Sequence, residues 1–295
     1  TNSNTENADF LMRKGASLFT IYIPVNFTHD LIAMKHPNIL IEADATESSS
    51  VNNAITTLNN LKQQVFNNKY QHGLNYLNNK QNSFDIIVHR KYNPESITPI
   101  NIVPGLMGVI LTMTLVMIMS IAIVREKEIG TMENLISTPV KPFEVMLGKI
   151  APYILIGYVQ QIFIWIMAQL LFKVPNVGSF FLLLLVTFPF LIANLTVGLT
   201  FSTIAKNQLQ AMQMSFFFFL PSILLSGFMF PFYGMPIWAQ YIGSALPLTY
   251  FNSIVRGIML KGNGSVATWS YVWPLLIFIL IFGFIAILKY KQKLD

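Results

Sequence analysis

The chain has 295 residues, of which 53% are hydrophobic and 11% are charged, and its mean hydropathy is +0.53. Soluble domains carry about 25% charged residues, so this composition argues against a soluble globular protein. The net charge of +6 could indicate nucleic-acid binding, but residues 1–100 hold eight basic and eight acidic side chains and sum to zero. We therefore expect no nucleic-acid partner. The absence of cysteine excludes disulfides and thiol-based metal sites.

The chain begins at Thr1 without a Met or an apolar signal-peptide core. If residues 1–100 lie outside the membrane, an upstream segment has to export them, so we read the chain as a piece of a longer protein. Residues 1–100 alternate β-like segments with helical ones and predict a small α/β domain. The β-like segments are Leu18–Ile23, Ile39–Ile41 and Phe84–Val88, and the helical ones are Asn26–Met34 and Ser48–Tyr70.

Residues 101–295 contain five apolar stretches of spanning length, none of which holds Asp, Glu, Lys, Arg or His. They are Ile102–Val124, Ile150–Phe172, Phe180–Ala205, Met214–Phe232 and Tyr271–Leu288. A sixth apolar segment, residues 235–260, is interrupted by proline and glycine and carries Arg256. It predicts a re-entrant or interfacial helical hairpin before the last span. The fold class is therefore an α-helical polytopic membrane protein with a small extracytoplasmic α/β domain.

The basic residues of the loops predict the orientation. If residues 1–100 are extracytoplasmic, eight basic residues after position 100 are cytoplasmic and three lie on the opposite side. This excess fits the positive-inside rule, and the inverted topology breaks it. We therefore expect a multi-pass protein with a cytoplasmic C-terminus.

The segment between the first two spans, residues 125–149, is the most unusual part of the chain, and we call it the elbow. It holds four of the five acidic residues found after position 100. Gly130 is expected to end the first span, Thr131 to cap a short helix, and Glu133 to face the positive end of its dipole. Pattern alone leaves two readings open, an ordinary solvated loop and a docking element for a cytoplasmic partner.

The elbow run REKEIGTMENLISTPVKPFEVMLGKIAPY (Arg125–Tyr153) resembles the signature of the permeases of type-2 ABC exporters, in their multidrug branch. Further matches follow in family order on both sides. They are IPVNF (23–27), YNPE (92–95), IVPGLMGVIL (102–111), NQLQAMQ (207–213), LPSILLSGFMFP (220–231), MPIWAQ (235–240), PLTYF (247–251) and RGIMLKG (256–262). Members have one more span, preceded by a short cytoplasmic helix, before the extracytoplasmic domain. Five spans here thus imply six in the intact subunit.

The resemblance implies a mechanism and a set of partners. Two permeases pair in the bacterial inner membrane, each sits on an ABC ATPase subunit, and a periplasmic adaptor can join them. The chain is then not an enzyme and binds no cofactor, because ATP and Mg belong to the partner ATPase; it has no G-x-x-x-x-G-K-[ST] loop. The residues carried over to ATPase coupling are Arg125, Glu126, Glu128, Gly130, Thr131, Glu133 and Leu135. The expected function is export of hydrophobic or amphiphilic compounds, such as drugs, toxins or lipid-like molecules.

Other candidate sites carry weaker signals. Phe216, Phe217 and Met229 could line an apolar substrate path, although the pattern favours lipid-facing or core positions for them. Four histidines fall in residues 1–100 without metal-ligand spacing, and we expect no metal site and no catalytic residues.

Two other functions remain open from the sequence. A non-transporting membrane receptor or scaffold would sense ligand through residues 1–100. An ion-coupled secondary transporter needs ionisable residues inside the membrane, which the five predicted spans lack.

Overall fold

The structure is a computed structural model that describes residues 5–33, 35–47, 51–60, 84–130 and 142–291. It divides into two compact units, the N-terminal unit (Thr1–Asn101) and the C-terminal unit (Ile102–Asp295). The described residues form a small three-stranded sheet and five helices long and apolar enough to cross a membrane. The predicted fold class, a polytopic α-helical membrane protein with a small sheet, is confirmed.

The sheet of the N-terminal unit consists of β1 (Phe19–Tyr22), β2 (Asn38–Asp44) and β3 (Asp85–Lys91) in that spatial order. Strand β2 is central, antiparallel to β1 and parallel to β3. Its Ile41 and Ala43 are buried, since alternate side chains of a strand face the same side of the sheet. The central strand is longer than the predicted Ile39–Ile41, because pairing on both edges extends it beyond its most apolar residues.

Three helices accompany this sheet: α1 (Thr5–Arg13), α2 (Phe27–Ile32) and α3 (51–60). Residues Ala8 and Met12 of α1 are buried and contribute to the core of the unit. Helix α2 agrees with the helix predicted over 26–34. The helix predicted over 48–70 is observed at 51–60, and its remaining residues lie outside the described part of the chain.

A polar cluster centred on Lys91 joins α1 to the sheet. The Lys91 ammonium lies 2.9 Å from carboxylate oxygens of both Asp9 and Glu42, and the Tyr22 hydroxyl donates to Glu42 at 3.2 Å. Burial alone would lower the pKa of Lys91, but the hydrogen bonds to Asp9 and Glu42 outweigh it and raise that pKa. The hydrogen bond from Lys91 lowers the pKa of Asp9 in turn. One cation thus holds together carboxylates from α1 and β2.

The C-terminal unit is helical. Its elements are α4 (Thr98–Ile129, which begins in the N-terminal unit), α5 (Pro142–Leu170), α6 (Phe180–Ile204), α7 (Gln208–Leu225), α8 (Ile237–Ser244), α9 (Pro247–Met259) and α10 (Ser265–Lys291). The candidate spans are α4, α5, α6, α7 and α10. Within the most apolar windows of α4 and α6, 61% of residues are buried, against 17% in the other three. Helices α4 and α6 are therefore the inner helices of the unit.

Close backbone packing joins the two inner helices. A Cβ atom at Gly198 of α6 would lie 2.7 Å from the carbonyl oxygen of Val116 of α4. Because no side chain fits there, the glycine lets the two backbones approach, as small residues do between membrane helices. On another side of α6, the buried rings of Phe190 and Phe251 stack with centroids 3.9 Å apart and join α6 to α9.

Helix α7 differs from the predicted fourth span, Met214–Phe232. It begins at Gln208, where the Asn207 side chain caps it by accepting from the backbone N–H of Gln210 at 2.8 Å. It ends at Leu225, just before Gly227 with a φ of +79°. The prediction followed hydropathy alone, whereas the cap and the left-handed glycine determine where the helix starts and stops.

The segment 235–260 folds into two short helices, α8 and α9. Pro236 precedes the first residue of α8 and Pro247 opens α9, positions at which proline is compatible with a helix start. Arg256 of α9 is only 9% exposed, and its guanidinium lies 3.5 Å from the carbonyl oxygen of Gly227. The two helices of this segment therefore begin at the prolines, as the sequence pattern predicted.

Candidate functional site

The first five residues of the elbow belong to α4. The helix continues through Arg125-Glu126-Lys127-Glu128 to Ile129, five residues beyond the apolar span predicted to end at Val124. Arg, Glu and Lys are good helix formers, so a charged run prolongs a helix that hydropathy appears to stop. Gly130 then has a φ of +81°, in agreement with its expected role as the end of the helix.

The last turn of α4 contacts the ends of two neighbouring helices. The Lys127 ammonium donates to the carbonyl oxygen of Ser202 at 2.5 Å, in the last turn of α6. The Glu128 carboxylate accepts from the backbone N–H of Gln208 at 3.0 Å and from the Gln208 side-chain amide, at the first residue of α7. Carbonyl groups at a helix C-terminus and N–H groups at an N-terminus lack intrahelical partners. Each charge therefore meets the helix end that it favours.

A third contact joins α4 to α5. Glu126 forms a salt bridge with Lys149, whose side chain is 13% exposed. Three consecutive residues of α4 thus reach three different helices. We call this set, Glu126, Lys127 and Glu128 with their partners Lys149, Ser202 and Gln208, the α4 clamp.

The turn between α6 and α7 is ordered by its own hydrogen bonds. The Gln210 side-chain oxygen accepts from the backbone N–H of Lys206 at 2.8 Å, in addition to the Asn207 cap. Beside it, Val124 of α4 packs with Ala205 and Ala211 in a small apolar cluster. The turn between α6 and α7, which the clamp contacts, therefore has a defined conformation.

Hydrogen bonds higher along α4 repeat the same connections. Ser120 and Ser215 of α7 share a hydrogen bond of 2.7 Å between buried hydroxyls. The Thr114 hydroxyl donates to the side-chain oxygen of Gln160 of α5 at 2.8 Å. Helix α4 is thus tied to α5 and to α7 at two levels, at its end and within the span.

The structure places the predicted coupling residues as follows. Arg125 is exposed, Glu126 and Glu128 contact other helices of their own chain, and Gly130 ends α4. Thr131, Glu133 and Leu135 lie outside the described residues. Pro142 begins α5, so the end of the elbow is helical as well.

Sequence reasoning did not select Lys127, Lys149, Ser202 or Gln208. The alternation Arg-Glu-Lys-Glu was the sequence signal for these contacts. Adjacent side chains of opposite charge on one helical turn point in different directions, so they are expected to contact different neighbouring helices. The backbone carbonyl of Ser202 has no sequence signature.

The candidate path residues are on the surface of the C-terminal unit. Phe216 is 45% exposed, Phe217 is 74% exposed and Met229 is 56% exposed. Nothing in the described chain encloses them. Within the same residues, no group of three or more His, Asp or Glu side chains is placed to hold a metal ion.

The chain is similar to known proteins over nearly its whole length. The family model described as "ABC-2 family transporter protein" matches residues 2–288. The Escherichia coli protein "Probable multidrug ABC transporter permease YbhR" is 28% identical over 280 residues, which cover 94% of this chain and 74% of that protein. "Probable multidrug ABC transporter permease YbhS" of Escherichia coli is 34% identical over 212 residues, 72% of this chain and 56% of that protein.

A third relative, "Inner membrane transport permease YhhJ" of Escherichia coli, is 29% identical over 288 residues, 95% of this chain and 74% of that protein. No solved structure matches the chain at a significant level. The matched range includes the α4 clamp and every described helix from α1 to α9. The chain therefore belongs to the ABC-2 family of transporter proteins and is a membrane permease of an ABC exporter.

Proposed function

We propose that this permease moves hydrophobic or amphiphilic compounds out of the cytoplasm or the inner membrane, driven by a partner ABC ATPase. ATP and Mg are bound by that partner. The observation that carries the proposal is the α4 clamp, because it joins the end of α4 to three helices at once. A force applied by the ATPase to the elbow then reaches α5, α6 and α7 through the end of α4.

The contacts of the clamp suit a moving part. Glu128 is exposed, and the Glu126 side chain is 41% exposed. These two carboxylates are solvated when they lose a partner, so the clamp can rearrange at Glu126 and Glu128, although the Lys149 side chain is only 13% exposed. The inner contacts Ser120–Ser215 and Thr114–Gln160 then carry the displacement into the spans.

The proposed assembly contains two permeases, identical or paralogous, and a periplasmic adaptor in contact with the N-terminal unit. The exposed aromatic face of α7, with Phe216 and Phe217, is available to line a path between the two permeases. The basic residues support a cytoplasmic C-terminus and an extracytoplasmic N-terminal unit. The whole complex lies in the bacterial inner membrane.

The experiment is affinity purification of the intact subunit from its native membranes, followed by assay of ATP hydrolysis and of ethidium efflux. We expect an ATPase to co-purify. Glu128→Lys should remove the contact with the start of α7, so efflux falls at least tenfold while the complex still assembles. The matched control is Lys289→Glu, an exposed charge change near the C-terminal end of α10. A complex that lacks any ATPase contradicts the proposal.

A further inference from the structure

Two polar side chains in the interior of the C-terminal unit have hydrogen-bonding groups left over. Thr112 of α4 and Asn194 of α6 are each 0% exposed. The Asn194 amide nitrogen donates to the carbonyl oxygen of Phe190 at 2.9 Å. The Asn194 Oδ1 atom and the Thr112 hydroxyl have no hydrogen-bond partner among the described residues. Both residues are near the middle of candidate membrane spans, where an unpaired polar group is costly.

The closest contact between α4 and α6 determines how the two helices align. A Cβ atom at Gly198 of α6 would lie 2.7 Å from the carbonyl oxygen of Val116 of α4. Thr112 and Asn194 each precede these residues by four positions, which is about one helical turn. Residues four apart share a face of a helix, so Thr112 and Asn194 belong to the two faces that meet at Gly198.

A contact on the other side of the pair gives the same alignment. Gly108 and Phe190, one turn before Thr112 and Asn194, both touch the ring of Phe251. A Cβ atom at Gly108 would lie 2.8 Å from that ring, and the rings of Phe190 and Phe251 stack with centroids 3.9 Å apart. Helices α4 and α6 therefore run side by side in the same direction, and Thr112 lies opposite Asn194 between two measured contacts.

The two unpaired groups are complementary. A threonine hydroxyl donates one hydrogen bond and an asparagine Oδ1 atom accepts, so each group can satisfy the other. The interface between their helices also favours a small displacement, because Gly198 has no side chain to interlock with α4. Small sliding movements of packed helices are an ordinary form of conformational change in proteins.

We propose that Thr112 and Asn194 are positioning residues for transport. A small shift of α4 along α6 lets the Thr112 hydroxyl donate to Asn194 Oδ1, and this bond stabilises the arrangement that ATP binding produces. The arrangement described here is the one before ATP binds. The Lys127 contact with Ser202 lies further along the same two helices and has to change in such a shift, which links the pair to the α4 clamp. This inference rests on the proposed function.

The first measurement is thermal unfolding of the intact permease, purified in detergent without nucleotide. Thr112→Val replaces an unpaired hydroxyl by a methyl group of similar size, so the unfolding temperature should stay equal or rise. A lower unfolding temperature would overturn the proposal, because the hydroxyl would then have a partner, such as a bound water molecule, before ATP binds.

The second measurement is ATP-driven ethidium efflux by the complex with its ATPase. Thr112→Val should reduce efflux about three- to tenfold, because the shifted arrangement loses a hydrogen bond. Thr112→Ser keeps the hydroxyl and should retain most of the efflux. The matched control is Thr187→Val on α6, which is also 0% exposed but whose hydroxyl donates within its own helix, to the carbonyl oxygen of Leu183 at 2.8 Å. It should leave efflux near the unsubstituted rate.

A double-mutant cycle tests whether the two side chains act together. Asn194→Leu should reduce efflux, and adding Thr112→Val to it should cause little further loss, because the acceptor is already gone. Independent losses in the double variant would overturn the proposal, as would unchanged efflux in Thr112→Val.

Failure of this inference differs from failure of the proposed function. If the unsubstituted complex shows no ATP-driven efflux, the proposed function is contradicted and this inference with it. If efflux is present and Thr112→Val matches the unsubstituted complex, only the role of the Thr112–Asn194 pair is contradicted.

Discussion

Two polar clusters of this protein use the same groups in different ways. In the N-terminal unit, Lys91 lies between Asp9 and Glu42, and the three side chains are 14–30% exposed. In the α4 clamp, Glu126, Lys127 and Glu128 each take a separate partner on a separate helix. The first cluster has one shared cation, and the second has three independent contacts.

This difference indicates different roles. A shared, partly buried cation cannot leave without stranding two carboxylates, so the Lys91 cluster holds its unit in one arrangement. The carboxylates of the clamp can lose their contacts one at a time, because Glu128 is exposed and the Glu126 side chain is 41% exposed, although Lys149 is about as buried as Glu42 of the first cluster. We infer that the N-terminal cluster stabilises a fold and that the clamp transmits a movement.

The largest expected effect is on transport. Glu126→Lys places two cations together at the end of α4, so ethidium efflux should fall at least tenfold. The double variant Glu126→Lys with Lys149→Glu restores the pair with its charges exchanged and should recover most of the efflux. Membrane insertion, measured by immunoblotting, should be the same in the unsubstituted protein and in both variants. Failure of the double variant to recover would show that Glu126 acts on something other than Lys149.

The second effect is on the stability of the N-terminal unit. Lys91→Met leaves Asp9 and Glu42 close together without a cation. Breaking a fully buried pair costs roughly 3–5 kcal/mol, and the partial exposure here reduces that to about 2 kcal/mol. Hydrogen exchange of the β2 and β3 amides in the full chain should become about 30-fold faster, because 1.36 kcal/mol is a factor of ten. The Lys127→Met control should leave exchange in these strands unchanged.

A third effect follows from acid titration. Since the pKa of Asp9 lies below its ordinary value of 3.8, its contribution to stability is complete above that value and is lost as the pH falls through the lowered pKa. Cleavage within β1–β3 by pepsin should therefore accelerate below about pH 4. In Asp9→Asn, cleavage is faster at pH 5 and should depend less on pH. Identical profiles for the two proteins would argue against a role for this carboxylate.

The smallest effect is expected at the rim of the same cluster. Arg13 lies 3.0 Å from Asp9 one turn away on α1, and its side chain is 56% exposed. Such pairs stabilise a helix by about 0.3–0.5 kcal/mol. Arg13→Gln should thus speed amide exchange about twofold, far less than Lys91→Met. If Arg13→Gln and Lys91→Met had comparable effects, the number of cations near Asp9, and not the central position of Lys91, would determine the stability of the unit.

The sequence indicated most of the architecture because hydropathy and turn residues act locally. The apolar stretch Phe180–Ala205 predicts α6 to within one residue, and Gly130 predicts the end of α4. The bounds of α7 were wrong, because the Asn207 cap and the left-handed Gly227 override hydropathy. The sequence thus predicts a helix end correctly where a single local signal determines it. It fails where hydropathy and a capping residue or glycine indicate different ends.

The candidate site was predicted only in part. Resemblance selected Glu126 and Glu128, but their partners Lys149 and Gln208 lie 23 and 80 residues away along the chain. No spacing rule joins residues so far apart, because their proximity depends on how the helices pack. The expected path residues Phe216, Phe217 and Met229 are exposed, and composition does not distinguish a lipid-facing residue from one that lines a path.

By itself the sequence determined the class of protein and the five candidate spans of the described residues, and it predicts the side on which the basic residues collect. These follow from how much apolar surface each segment carries, which is a property of the segment alone. Only the tertiary structure decided that three adjacent charges of α4 reach three helices, and that Thr112 of α4 lies opposite Asn194 of α6. Both depend on the packing of helices that are distant in sequence, since side-chain shape and backbone contact select it and no local pattern records it.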